Sequence, residues 1–537
     1  MNLLTRYIVC AASLLACSGL SAQNLNPQVQ VTNDYEARMG EAAKKGVALE
    51  VPDSLSEFRT SVDYKVFRTE YRGSYEFHPY RISVAPEVRD NGASRAWLRA
   101  GAGYSFHPVF QGVYAVKRKG LLRGSLFQDF HGYCGEYGSA VDDRSFHGRD
   151  LSETLGADFR LNNVKYDLSG SLDYKGLFTK DSDWTSNSNG VALEGHVLSN
   201  SESAVSYDVE AGASYNDDHL FAGGGHGHIR ETAFHAEGSF LPRLMLPVDL
   251  RLDFGFDGAF YASRAYDPVI CYNITPKCVY EYDFLRFHGG LVFHAGSDGL
   301  GVAPDLRVSA RLMRNDMEVA AYLTGGRRAN SYGSFKAANH WFNPTYTNDL
   351  STTVVRYDAG LSLSGVAFRY MQYSLKGGYS SMADAPAEFL AAGAVNPALP
   401  DCGIMYVDYR NWYADALLAW KTEKLDADLH FAWRNTDAAD GAAWLDLPHV
   451  RCGGKALYNW NGRVAAGVRF EASGERRSAV NPVDGWVDLG VCGEYSLLNG
   501  ISFWAQAGNL LNHDIAPAPT HVATGPFITA GICLKLR

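Results

Sequence analysis

The chain of 537 residues has no long apolar run. After the first twenty or so residues, no stretch approaches the ~18 consecutive apolar residues that a spanning helix needs. Mean hydropathy is −0.19, and a helical membrane protein is excluded. There is no basic excess either: 49 Lys and Arg face 59 Asp and Glu, a net charge of −10. Positive charge gathers only in short pieces such as Lys117–Lys119, which argues against nucleic acid as a partner. Cysteine is sparse. Of nine, Cys10 and Cys17 fall in the N-terminal address segment, and the seven that remain are scattered and odd in number, which is no disulfide framework. Glycine has no triplet period, so collagen is excluded. Helical periodicity is nearly absent. No nucleophile elbow, Walker loop, His-Glu-x-x-His or EF-hand loop occurs. Catalytic, cofactor-binding and metal residues are therefore assigned to none, and an enzyme is not expected.

What is present is glycine, 54 residues, about a tenth of the chain against roughly 7% in average usage, together with 31 Tyr and 27 Phe. The chain opens with an export address. Met1–Tyr7 carries Arg6, Ile8–Leu20 is mostly apolar, and Ser21-Ala22-Gln23 supplies small residues, so residues 1–22 read as a cleaved signal peptide. Residues 23–95 read as a polar N-terminal periplasmic extension.

From Ala96 the pattern changes to repeated period-2 alternation. Leu98, Ala100, Ala102, Tyr104 and Phe106 alternate with Arg99, Gly101, Gly103 and Ser105. Val248, Leu250, Leu252, Phe254 and Phe256 alternate with Asp249, Arg251, Asp253, Gly255 and Asp257. Leu306, Val308, Ala310 and Leu312 alternate with Asp305, Arg307, Ser309 and Arg311. Leu425–Arg434 repeats the pattern. Successive strand side chains point to opposite faces, so each segment has one apolar and one polar face. The segments are roughly 9–12 residues long, the length of a tilted transmembrane strand, whereas soluble strands average about 5–6. Aromatic residues recur near segment ends, as interfacial girdles require: Tyr104 with Phe106, Tyr207 with Tyr215, Phe256 with Phe260. Tight turns at Lys119-Gly120, Asn162-Asn163 and Asn499-Gly500 contrast with longer links at Gly135–Asp150, Lys180–Asn189, Ser263–Lys277, Arg327–Asp349, Asp384–Asp401 and Thr436–Asp446. Short turns on one side and long loops on the other form the outer-membrane arrangement. The expected fold is all-β: a large antiparallel transmembrane β-barrel of about 18–22 strands over residues 96–537. Its place is the cell outer membrane, with outer-membrane lipids against its apolar face.

Asp249, Arg251, Asp253, Asp257, Asp305, Arg307 and Arg311 are candidate lumen-facing residues. They could select solutes by charge, or pair across neighbouring strands and keep the wall hydrated. Cys271 and Cys278 bracket Tyr272–Lys277, in a stretch with Pro268, Asn273 and Pro276, consistent with a loop disulfide or with two unpaired thiols. His219, His226 and His228 around a glycine run would need a turn to gather them before they could hold a metal. The i,i+2 acid pairs Asp208 with Glu210, and Asp426 with Asp428, are common in barrel walls. Trp184, Trp341, Phe342 and Tyr346 in predicted long loops could stack on a sugar, pack on a surface lipoprotein or pack on their own loops.

The C-terminal end resembles a known family. A strand Ile501–Gly508 is followed by Asn509-Leu510-Leu511-Asn512, a Pro/Gly-containing link with Gly525 and Phe527, and a last strand. This pattern is similar to the terminus of TonB-dependent receptor barrels. Asn24-Leu25-Asn26-Pro27, Val29–Tyr35, Val51–Leu55 and Gly73–Phe77 resemble the beginning of receptor-like outer-membrane proteins of the Bacteroidota. The resemblance implies a barrel of receptor ancestry, with Asn509, Leu510, Leu511, Asn512, Gly525 and Phe527 in structural roles. Residues 23–95 are too short for a plug. The expected role is non-energised passage or the docking of partners, such as surface lipoproteins or other outer-membrane complex subunits. The alternatives are a structural subunit of an assembly or secretion complex, and TonB-dependent uptake with a plug supplied in trans.

Overall fold

The computed structural model describes residues 95–536 apart from 105, 120–121, 140–144, 181–183, 200–204, 223–224, 243–247, 263–265, 298, 313–315, 343–348, 391–401, 439–447, 461, 477–483, 519–520 and 524. The expected signal peptide and nearly all of the expected extension lie outside the described residues. The first strands are β1 (Ala96–Tyr104), β2 (Val109–Lys119), β3 (Leu122–Ser139), β4 (Ser145–Asn162), β5 (Tyr166–Lys180), β6 (Trp184–Ser199), β7 (Val205–Ala222) and β8 (Gly225–Pro242). Next come β9 (Asp249–Tyr261), β10 (Val269–Tyr282), β11 (Leu285–Gly296), β12 (Gly299–Leu312), β13 (Met317–Ala329), a short helix α1 (Tyr332–Ala338), β14 (Thr352–Ala367), β15 (Met371–Leu390) and β16 (Cys402–Lys421). The chain ends with β17 (Leu425–Ala438), β18 (Val450–Trp460), β19 (Val464–Ser473), β20 (Trp486–Leu498), β21 (Ile501–Gly508), a hairpin β22 (Ile515–Ala518) and β23 (His521–Ala523), and β24 (Phe527–Leu536).

Consecutive strands pair antiparallel, and the sheet closes on itself where β1 meets β24, from Ala96 opposite Leu536 to Tyr104 opposite Ile528. Since β21 pairs directly with β24, the hairpin stands outside the ring, and 24 − 2 = 22 strands form the wall. Closure leaves no wall strand without a neighbour on either side, the condition for a sheet to cross lipid. Gly103 makes the seam close: a side chain there would run into the Ile528 backbone carbonyl. Among the described residues, no helix is long and apolar enough to cross a membrane.

The two ends of the barrel differ. At one end the ten connections, from that between β2 and β3 to that between β20 and β21, are two to six residues long. At the other they run from two residues to the 22 between β13 and β14. The tight turns expected from sequence all fall at the first end. Four expected long links are markedly shorter than predicted. Gly135–Asp150 and Lys180–Asn189 are largely β3, β4 and β6, Ser263–Lys277 includes the first nine residues of β10, and Asp384–Asp401 includes the last seven of β15. In the first two the strands run beyond the apolar band, where the outward face turns polar and the alternation that reveals a strand disappears; in Ser263–Lys277 the turn-forming residues Pro268, Asn273 and Pro276 mask β10.

The outward face carries exposed apolar side chains in a band between two aromatic rows. Tyr104, Tyr215, Phe234, Phe260, Tyr272, Phe293 and Trp412 lie toward the long-loop end, and Tyr282, Phe284, Phe368, Tyr370, Trp460 and Tyr495 toward the short-turn end. On β10 the rows are marked by Tyr272 and Tyr282, ten residues apart. Ten residues at ~3.4 Å each, tilted by about 40°, give a height of about 26 Å, the thickness of an outer-membrane apolar band.

The wall is uneven in height. Around the seam β1, β2, β21 and β24 have 8 to 11 residues, while β3, β4, β7 and β8 have 18. The hairpin β22–β23 fills part of that step, with His521 opposite Ser139 and Ala523 opposite Tyr137 on the overhang of β3.

Candidate functional site: a loop held inside the lumen

The described residues of the long connection between β13 and β14 do not stand out into solvent. They fold inward at the long-loop end and pack against the inner wall, where they make the main buried apolar cluster of the described residues. Asn330 closes the base of the loop, donating to Ser351 O and Thr353 Oγ1 at 2.9 Å each. Ser331 then caps α1: its hydroxyl accepts from Ser334 N at 3.1 Å, and the Ser334 hydroxyl faces Ser331 N at 3.2 Å. This reciprocal capping satisfies orphan donors of the first turn and starts a helix of only seven residues. Tyr332, Phe335, Trp341, Phe342 and Leu350 then bury against Tyr137, Leu220, Ile229, Ala259, Val269 and Ile404 of the wall. Trp341 stacks on His521 of the hairpin at 3.8 Å and meets Tyr137 edge-on.

Trp341 and Phe342 were expected to be exposed in a long loop, but they are 3% and 0% exposed. Their apolar surface is used to pack the loop into the lumen, which corrects any reading of them as surface docking residues. Tyr346 and the side chain of Trp184 lie outside the described residues.

Buried polar groups fix the loop in register. Asp218 on β7 is fully buried, accepts from Ser186 Oγ at 2.7 Å and from the Tyr332 hydroxyl at 2.5 Å, and lies 3.8 Å from Lys336 Nζ. Glu231 on β8 accepts from Tyr261 OH at 2.8 Å and Gly333 N at 3.1 Å, and from Asn216. Asp150 on β4 takes His340 Nδ1 at 3.0 Å. A buried charge is tolerable only when paired, and each of these wall acids meets a donor of the loop. Burial pushes the Lys336 ammonium down, against the pull of Asp218 and Asp150. Burial also opposes charge on His340, but the Asp150 carboxylate outweighs it and holds the imidazole above its ordinary range. The Tyr332 hydroxyl is pushed far up by burial and by Asp218, so it stays a donor.

The loop reaches across the lumen. It leaves from β13 and its far wall contact, Tyr137, is on β3, 13 − 3 = 10 strands round a ring of 22.

The seven acidic and basic residues picked out from sequence lie on the inward face. Asp249, Arg251, Asp253 and Asp257 share the parity of Ala259 and Tyr261, which touch the loop. Asp305, Arg307 and Arg311 share a face with Lys277 and Glu318, to which they are joined. Several form a ladder: Arg251 to Asp253 at 2.6 Å, Asp253 to Lys277, and Lys277 to Asp305 at 2.9 Å. Arg307 reaches Glu318 at 3.0 Å, and Arg311 approaches it at 4.0 Å. Asp257 accepts from Cys271 Sγ at 3.7 Å. This is cross-strand pairing of a wetted wall. The ladder continues in residues that sequence reasoning did not single out. Tyr322 and Tyr413 share a hydrogen bond of 2.5 Å, Tyr413 donates to Asp358, and Arg434 pairs with Asp415 at 2.6 Å. Among the acid pairs, Asp208 meets His196 at 2.6 Å and Asp428 meets Lys455 at 3.0 Å.

Cys271 and Cys278 are not a loop disulfide. Both lie on β10, both are free, and they occupy opposite faces, Cys271 buried inward and Cys278 exposed. Seven residues of strand separate them by about 23 Å, whereas a disulfide needs Cα atoms within ~7 Å.

The family-motif residues have clear local roles. Asn509 and Asn512 take left-handed φ values of 49° and 52°, and Gly525 one of 81°. Asparagine tolerates that region better than other side-chain-bearing residues. The Asn509 side chain, 1% exposed, accepts from His513 N at 2.9 Å and donates to His513 O at 2.7 Å and Gly525 O at 3.1 Å. It thereby ties the end of β21 to the start of β24. Phe527 stacks on His107 at 4.2 Å, across the seam. Leu510 and Leu511 are exposed.

No protein-family model matches the sequence, and no curated protein is similar to it. Solved structures share the fold. The FrpB iron transporter from Neisseria meningitidis (F3-3 variant) superposes with a TM-score of 0.61 at 10% identity, over 83% of this chain and 81% of that one. The copper transporter OprC gives 0.58 at 11% identity, over 82% and 80%. The siderophore receptor PirA from Acinetobacter baumannii gives 0.59 at 10% identity, over 82% and 80%. The expected likeness to TonB-dependent receptor barrels therefore holds for the fold of the barrel.

Proposed function

We propose that this is an integral outer-membrane barrel for the non-energised passage of polar solutes, with the α1 loop as its constriction. One observation carries the reading: a loop from β13–β14 crosses the lumen and is held there by the buried wall acids Asp218 and Glu231 and the half-buried Asp150. Such an element narrows the mouth from within the barrel's own wall, a role the fold otherwise leaves to a separate plug. The paired charges below it would keep the path hydrated and filter solutes by charge. The short turns would face the periplasm and the long loops the exterior, with outer-membrane lipids around the apolar band. The alternative of a silent anchor for lipoproteins or other complex subunits loses Trp341 and Phe342 as docking residues, since both are buried.

A second reading, energised uptake with a plug in trans, draws on the neighbours, which include an iron transporter, a copper transporter and a siderophore receptor. Proteoliposome swelling separates the three. Passive passage predicts swelling in small polar solutes, faster when residues 332–342 are replaced by a short Gly/Ser linker. Energised uptake predicts flux only in cells with an energised inner membrane. A silent barrel that co-purifies stoichiometrically with lipoproteins would sink passage and support the scaffold.

A further inference from the structure

A different cluster stands on the opposite face of the wall from the α1 loop. On β7, Asp218 and Leu220 bury into the lumen, so Asp217, His219 and Phe221 face outward. On β8, Ile229 and Glu231 bury inward, so His228 and Arg230 face outward. The register sets His219 directly opposite His228, and Asp217 opposite Arg230. It is strand pairing, not a turn, that gathers the histidines. The two imidazoles stack at 4.2 Å. Nε2 of His228 contacts Oδ1 of Asp217, and Nε2 of His219 lies 3.5 Å from the same oxygen. The three ligand atoms all lie within 4.8 Å of one another. Tyr215 and Phe234, on the same face, mark the aromatic edge of the apolar band, and the cluster lies just beyond it toward the long-loop end.

The hydrogen bonding here does not close with protons alone. His228 Nε2 faces the Asp217 carboxylate, which calls for a proton on that nitrogen, and accepts from Arg230 Nε at 3.1 Å, which calls for a lone pair. One nitrogen cannot do both. A divalent cation resolves the conflict by taking the lone pairs of both Nε2 atoms and one carboxylate oxygen. Two imidazoles and one carboxylate suit zinc, copper(II) or nickel(II) rather than calcium or magnesium. Asn187 on β6 is the register partner of His219 and offers one more oxygen on that row.

We propose that Asp217, His219 and His228 form a divalent transition-metal site on the outward rim of the barrel, bridging β7 and β8. The side chains must close by small rotations to reach metal–ligand lengths of ~2.0–2.2 Å, displacing Arg230 from His228. The remaining coordination positions face outward and are open to exchangeable donors.

Untagged full-length protein in detergent, titrated with copper(II) and read by electron paramagnetic resonance, tests this, with zinc(II) as competitor. The expected result is saturable binding of one ion per barrel, displaced by zinc, with nitrogen hyperfine lines from imidazole. His219→Ala and His228→Ala should each remove one nitrogen and weaken binding at least tenfold. Asp217→Asn should weaken binding with the nitrogen count unchanged. His235→Ala, at a lumen-side histidine of the same strand, should change nothing. Each variant is checked for the gel shift between boiled and unboiled samples, so that loss of fold is not mistaken for loss of a ligand. Absence of saturable binding, or a nitrogen count unaltered in both His219→Ala and His228→Ala, overturns the site.

Discussion

Replacing Lys336 by Met should release the α1 loop from the wall. Lys336 is 3% exposed, with Nζ 3.3 Å from Phe342 O and 3.8 Å from Asp218 Oδ2. The methionine fills most of the volume, so the loss is electrostatic. Removing one partner of a buried ion pair costs about 3–5 kcal/mol, because the other charge stays buried. Asp218 keeps the Ser186 and Tyr332 hydroxyls, which places the cost near the low end, about 3 kcal/mol. At 1.4 kcal/mol per decade that is roughly a hundredfold in the docking equilibrium. Hydrogen exchange of the α1 amides reads this equilibrium directly. Protection over Tyr332–Ala338 should fall by about two decades while the lower halves of β7 and β8 stay unchanged. Adding Asp218→Asn should restore part of the protection, since the orphaned charge is gone. Unchanged exchange in Lys336→Met would refute the claim that this buried pair holds the loop.

Docking should also depend on pH through His340. Its pKa is raised when docked, so the contribution of the Asp150 pair is complete below the ordinary histidine value of ~6.5. It is lost as pH rises through the raised value, so α1 exchange should quicken above that point beyond its intrinsic rate, and His340→Asn should abolish the step. Asn509→Ala removes three side-chain hydrogen bonds and leaves alanine in a left-handed conformation, a cost of about 2–4 kcal/mol. Its barrel should lose heat-resistant fast migration on gels at a lower temperature than the parent. Gly103→Val should fail to close, seen as identical mobility of boiled and unboiled samples. After denaturation without reductant, Cys271 and Cys278 should both take up an alkylating reagent in full; protection of the pair would contradict their placement on one strand.

The barrel was legible in sequence where lipid touches it. There one face must be apolar and the other wet, and Leu250 to Phe260 show that period plainly. Cys271 read as loop although it sits on β10, because Pro268, Asn273 and Pro276 around it are turn-forming residues. The constriction was hidden for a different reason. Tyr332, Phe335, Trp341 and Phe342 look like exposed loop aromatics until the wall residues about 60 to 200 positions away are known. The Ser331–Ser334 cap was the one local signal, and it marks a helix without saying where it packs. The charged wall residues could be read as a face, but their partners Lys277 and Glu318 are set by register between strands. The same holds for His219 and His228, whose meeting depends on the alignment of β7 with β8.

The account stands most directly on the conductance of single barrels in planar bilayers, with and without residues 332–342. The intact protein should pass small steady currents, and replacing those residues with a short Gly/Ser linker should open a steady, several-fold larger conductance. Equal conductance in the two proteins, whether both open or both silent, would contradict a lumen constricted by the α1 loop.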